Sequence, residues 1–220
     1  MNPIAARENF KNAVMIFENA FKDVTNVVEA FKLTQSSLRI EQPISATTTL
    51  YPFPILKNQN NAAGTIFNTE LRLNMQDTFV PTEVGLFVAL PTSSTDAAYR
   101  LHSYPNQAVF ANAVQMRTLY NGQLIISVNN YQYTYSWDAQ RHWVTNQTQA
   151  TAAFGPGSPE DQNNFADDGF YPMQPYVLFG GAQNVEVSLR VPVAPTAVDA
   201  NSRLIAIFRG VLGQNSTPVS

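Results

Sequence analysis

Residues 185–191 read VEVSLRV, with Val185, Val187, Leu189 and Val191 alternating with Glu186, Ser188 and Arg190. Successive side chains of a strand point to opposite faces, so this stretch makes a strand with one apolar and one wet face. The same strict alternation runs through Glu70, Leu71, Arg72, Leu73, Asn74 and Met75. A helical pattern would repeat its apolar residues every three to four positions, and neither stretch does.

Working outward from these two stretches, everything after Ser37 has the same texture. Short runs rich in β-branched and aromatic residues are punctuated by Pro, Gly and Asn clusters, which is the signature of a sandwich or barrel. Strands are expected at 38–42, 47–51, 65–75, 82–90, 99–104, 123–129, 131–137, 142–145, 176–179, 184–191 and 203–211. The spacing between Ala108 and Leu119 supports a short helix, ended by the turn signal Asn121-Gly122. The longest irregular stretch, about 147–175, contains FGPGSPEDQNNFADDGFYPMQP. Strand-like sequence resumes after it, so it is an excursion within one domain of residues 36–220 and not a linker.

Residues 1–35 differ. From Ala5 to about Leu33 there is no Gly or Pro, and Phe10, Val14, Phe17, Phe21, Val24, Val28 and Phe31 are separated by alternating steps of four and three. That spacing predicts an amphipathic helix with a heptad seam. The seam can lie on its own domain, as most amphipathic helices do, or face another subunit or a membrane surface. Its basic residues Arg7, Lys11, Lys22 and Lys32 are balanced by Glu8, Glu18, Asp23 and Glu29, so attraction to anionic lipid is weak.

The chain has 220 residues, is 45% hydrophobic and only 13% charged, and contains no Cys. A core can therefore be buried without a staple, and disulfides, thiolate zinc sites and cysteine nucleophiles are unavailable. Asn, Gln, Ser and Thr supply the polar surface in runs such as KNQNNAAG and VTNQTQAT. With little charge to keep copies apart, such a surface suits a protein that packs against many others. Net charge is −3 and no Lys/Arg run tracks a phosphate backbone, so direct nucleic-acid binding is not expected. The opening MNPIAARENFKNAV lacks the pattern of a secretory signal, and no stretch has the about 20 apolar residues of a membrane span.

Motifs of catalysis are missing, including GxSxG, phosphate-loop, HExxH and dinucleotide fingerprints, so no catalytic residue, cofactor or metal site is assigned. His102 reads as a half-buried strand residue, and His142 lies near Asp138 and Trp143 without a visible acid-base partner. Glu160, Asp161, Asp167 and Asp168 gather carboxylates of a kind calcium accepts, yet their spacing is not that of an EF-hand and a solvated acidic loop is the plainer account. A hydrolase would need Asp138, Asp161 or Asp168 brought together by the fold. Two N-glycosylation patterns, at Asn146 and Asn215, carry no weight without a secretion route.

One stretch could be a binding platform. Residues 129–137 read NNYQYTYSW, and in a single strand Tyr131, Tyr133, Tyr135 and Trp137 share one face. Such a comb can be one wall of a core, a protein interface, or a stacking platform for a carbohydrate or base. The expectation is a core wall or subunit contact.

The stretches LRLNMQDTFVPTEVGLFVAL, LHSYPNQAVF, LYNGQLIISVNN and VEVSLRVPVAP, followed by SRLIAIFRGVLGQN, together resemble jelly-roll virion proteins of tailless icosahedral bacteriophages over roughly residues 38–212. The resemblance implies a mainly β, jelly-roll-like fold preceded by the N-terminal helix. It also implies a self-assembling capsid subunit, made in the host cytoplasm and found in the virion. Homotrimers or pentamers and contacts with other virion proteins would follow, and at this length one elaborated roll is expected. The alternative is a glycan- or receptor-binding β-domain of an adhesin or fibre, for which the comb would be the site.

Overall fold

The computed structural model describes residues 3–56, 73–96, 99–134, 137–144 and 169–216. Among them the strands are β1 (Thr34–Pro43), β2 (Leu50–Pro54), β3 (Thr78–Ala89), β4 (Leu101–His102), β5 (Gln123–Val128), β6 (Tyr131–Gln132), β7 (Trp137–Asp138), β8 (Phe170–Pro172), β9 (Phe179–Gly180), β10 (Val185–Arg190) and β11 (Arg203–Gly213). The helices are α1 (Pro3–Ala20), α2 (Val27–Ala30) and α3 (Ala113–Met116), the last continued by a 3-10 turn over Arg117–Asn121.

The protein is mainly β, with two antiparallel sheets. The first has the order β1-β11-β3, and β4, β8 and β9 share the far edge of β3. The second has the order β2-β10-β5, and β6 and β7 share the far edge of β5. β10 alternates as its sequence dictates, with Val185, Val187 and Leu189 buried and Glu186 and Arg190 in water. Its apolar face meets Leu38, Ile40, Leu86, Val88, Leu204 and Phe208 of the first sheet in one core, to which α3 and its 3-10 extension add Met116, Leu119 and Tyr120.

β3 is buried along almost its whole length because both of its faces are covered. One face lies in the main core, and the other carries Val80 under α1 and Phe87 in a smaller cluster with Ile205. Pro81 sits inside this central strand, where a missing N–H would leave a gap in the ladder. The ladder answers with a bulge: Arg209 opposes Glu83 and Gly210 opposes Pro81, so Thr82 is the extra residue. A side chain at position 210 would stand 2.1 Å from the Val80 carbonyl oxygen, so only glycine fits beside the bulge.

The helix differs from the one the heptad spacing predicts. α1 ends at Ala20, and the chain reverses so that the rings of Phe21 and Phe31 meet at 4.7 Å between centroids. Ten residues of continuous helix would separate them by about 15 Å along the axis. Val24 and Thr25, in the break between α1 and α2, are β-branched and poor in helix propensity. Asn26 starts a new turn instead, its side chain accepting a hydrogen bond from the Glu29 N–H at 3.4 Å.

Other boundaries moved for local reasons. β2 lies a few residues beyond the predicted 47–51 and holds Pro52 and Pro54 within it. His142 ends a 3-10 turn (Ala139–His142) and not a strand, and β8 falls inside the predicted irregular stretch. Of the alternating run around Leu71, only Leu73 onward is described, and Leu73 bridges to Leu56. The predicted acidic cluster at Glu160, Asp161, Asp167 and Asp168 lies outside the described residues, as does Tyr135.

Candidate functional site

The N-terminal seam is used on the protein's own first sheet. Phe17 is fully buried, Phe10, Val14, Phe21, Val24 and Phe31 are half-buried, and together with Val27 and Leu33 they cover Val80 and Val211. Phe17 and Phe21 stack at 6.2 Å. Polar contacts hold the helix in place: the Tyr176 hydroxyl donates to Asn9 at 3.3 Å, and Asn9 donates to Glu83 at 3.4 Å. Burial raises the Glu83 carboxyl above its usual range, and nearby Arg209 works against that rise. Only Val28, at 40% exposure, leaves the seam for solvent, joined by Met15 on the outer side of α1.

The aromatic comb is not one strand face, because the chain bends in its middle. β6 ends at Gln132, and the backbone N–H groups of Tyr133 and Thr134 both donate to the Ile126 carbonyl, at 2.9 and 3.4 Å. The Thr134 hydroxyl then takes the place of a strand residue in the ladder. It accepts from the Ile126 N–H at 2.8 Å and donates to the Leu124 carbonyl at 3.2 Å, and the residue is buried. Period-two reasoning fails across such a bend. Tyr131 and Tyr133 face water at 64% and 36% exposure with their rings edge to face at 5.0 Å, whereas Trp137 is 8% exposed in the core. The two tyrosines stand at the end of a tight hairpin whose turn residues, Asn129 and Asn130, have φ of 51° and 65°, the left-handed values a two-residue hairpin requires.

Trp137 has a second task. Its indole N–H donates to His142 Nε2 at 3.0 Å, and since an indole can only donate, Nε2 must be the acceptor. The imidazole proton therefore sits on Nδ1, 2.8 Å from the Gly169 carbonyl oxygen that receives it. His142 is fully buried, and burial pushes its pKa down to about 4. Both nitrogens are engaged in the neutral form, so the ring ties Trp137 to Gly169 and is not poised for acid-base work. His102 is buried in β4 with its ring edge-on to Phe110 at 5.6 Å.

Sequence reasoning missed the most strongly polar group of the described interior. Glu41, 1% exposed, accepts from Arg203 Nη1 at 3.0 Å and from Arg39 Nε at 2.9 Å, and the Tyr99 hydroxyl also donates to it. Both guanidinium groups lie against the Tyr99 ring, 5.4 and 5.7 Å from its centroid. Burial, reinforced by the Glu41 hydrogen bond, pushes the Tyr99 phenol up to about 12. The signal available was Arg39 and Glu41 two residues apart on one face of LRIEQ, and Arg203, which pairs with Pro43 on β1, joins them only through the fold. A cavity of about 90 Å³ beside Glu41 and Arg203 is far below the about 300 Å³ at which small-molecule pockets begin. The network pins β1 to β11 and to the backbone at Ser94, which Arg203 Nη2 reaches at 2.8 Å. Among the described residues no three metal-ligating side chains cluster.

Compared with known proteins, the chain matches no family model and no curated protein.

Proposed function

We propose that this chain is a structural subunit built on a jelly roll that assembles with copies of itself into a shell, as in the capsids of tailless icosahedral bacteriophages. The strand order carries this reading. With short strands that share an edge taken as one rank, the ranks in chain order are β1, β2, β3, β5, β6 with β7, β8 with β9, β10 and β11. First pairs with last, second with second-last, and so inward to β5 with β6, which describes one long hairpin ribbon. The remaining pairs, β11 with β3 and β10 with β5, roll that ribbon into two sheets. We read this rolled ribbon as a jelly roll, with β4 as an added piece on the β3 edge.

Jelly rolls serve in capsids, lectins and cupins, so the fold narrows the class without choosing within it. Self-assembly is favoured by the weakly charged, amide-rich surface and by polar interior groups that are spent on holding strands together. A closed ring of three or five copies is the symmetric form expected. A second reading, a glycan- or receptor-binding domain, is supported by the exposed pair Tyr131 and Tyr133. Light scattering on the purified chain over a wide concentration range separates the two. A mass rising to a fixed multiple of 24.3 kDa supports the subunit. A strict monomer that binds a glycan through Tyr131 supports the alternative.

A further inference from the structure

The sheet edges are not equally open. On β2, Val191 N–H donates to the Thr49 carbonyl at 2.8 Å, which sets the ladder so that residues 49, 51 and 53 bond to β10 while 50, 52 and 54 turn their backbone outward. Pro52 and Pro54 fill that outward side, and a proline offers no N–H to a newcomer. The edges beyond β3 and β5 are made of two- and three-residue pieces.

Over Thr34–Leu38 β1 has no such protection, and Pro43, which also turns outward, guards only its far end. Ile44 N–H donates to the Ser202 carbonyl at 3.0 Å, so the even-numbered residues 34–42 bond to β11 and the odd-numbered ones face outward. Among the described residues, no hydrogen bond reaches the backbone of Gln35, Ser37 or Arg39. Gln35 is exposed, and Ser37 and Arg39 are half-buried. The stretch from Thr34 to Leu38 contains no Pro, Lys or other charge, the usual guards of an edge.

We propose that a second copy of this chain docks on β1, strand against antiparallel strand, with the two-fold axis at Ser37. The inference rests on the self-assembly reading above and names a contact by which it occurs. The choice of a second copy comes from self-complementarity. In this register Ser37 meets its own counterpart and Gln35 meets Arg39 of the other copy, so the outward backbone groups of all three pair and no like charges oppose. Moving the axis to Arg39 would set two guanidinium groups directly opposite each other. The paired strands join the two first sheets into one continuous sheet. A contact of this size is small for a permanent dimer, so it is concentration-dependent and acts alongside other contacts of the shell.

The chain has no cysteine, so a single introduced thiol reports the contact directly. Hydrogen-bonded antiparallel partners have Cα atoms about 5.5 Å apart, within disulfide range. Ser37→Cys under mild oxidation is expected to form a covalent dimer at least about tenfold faster than Val193→Cys, a control at an exposed position. Ser37→Pro removes only an outward N–H, leaves the β11 ladder intact, and is expected to raise the concentration needed for association by at least about tenfold. Circular dichroism checks that it folds. If it does not, the cross-linking comparison decides alone. If wild type assembles but Ser37→Cys cross-links no faster than the control, the edge contact is wrong while self-assembly stands. A wild-type chain that stays monomeric at every concentration overturns both.

Discussion

Titrating His142 should leave a measurable mark on folding stability, because the hydrogen bond it accepts from Trp137 exists only while the ring is neutral. Trp137 directs an N–H at Nε2, where a second proton would have to go, and the ring is fully buried. Its pKa falls from the usual 6.5 to about 4 in the folded state. The unfolded chain therefore binds a proton that the folded chain refuses between those values. Stability from this group is complete above about pH 6.5 and is lost as pH falls through about 4. At about 1.4 kcal/mol per pH unit the full loss is about 3 kcal/mol. Glu83 acts in the opposite direction, since its raised pKa makes the folded state the better proton binder at low pH. A comparison of variants isolates the histidine. Urea unfolding of wild type, His142→Gln and His142→Phe, measured from about pH 8 to about pH 4, gives a difference curve for each variant. Neither variant titrates, so each is less stable than wild type at pH 8 and the gap should shrink by about 3 kcal/mol toward pH 4. A gap that stays constant across that range would refute the assignment of a neutral, doubly bonded His142.

The aromatic comb divides by exposure: Trp137→Ala should cost about 3–5 kcal/mol in denaturant unfolding, while Tyr133→Ala should cost under about 1 kcal/mol. Equal losses would mean that the bend at Thr134 is wrong. Thr134→Val keeps the shape but strips the Ile126 N–H and Leu124 carbonyl of their partner, for an expected loss of about 1–3 kcal/mol, and a neutral result would contradict its place in the ladder. Glu41→Ala leaves Arg203 buried beside Tyr99 without its counter-charge and should destabilise the subunit by about 3–5 kcal/mol. A melting curve like that of wild type would show the network to be dispensable.

The β-rich body was legible because strands such as VEVSLRV and RLIAIFRGV carry their own burial pattern. β10 shows one wet face as the alternation required, and β11 runs only a little past its predicted end. What failed was reasoning that assumed a pattern continues unbroken. The heptad spacing from Phe10 to Phe31 persists through a chain reversal, since aromatic side chains can meet around a turn as well as along a helix. The comb keeps its period across a bend at which a side-chain hydroxyl stands in for backbone, an event that leaves no trace in the spacing. The Glu41 network was hidden for another reason. Its members come from β1, from β11 and from Tyr99 between β3 and β4, and only the fold brings them together. Pro52 and Pro54 sit in an edge strand with their nitrogens turned away from the ladder, one of the few sheet positions that tolerate proline.

Electron microscopy of the concentrated, purified chain tests the central claim most directly. A self-assembling jelly-roll subunit should appear as closed rings or shell fragments of uniform curvature, in which copies repeat with fixed symmetry. A field of separate particles of single-chain size, unchanged as concentration rises, would contradict the account.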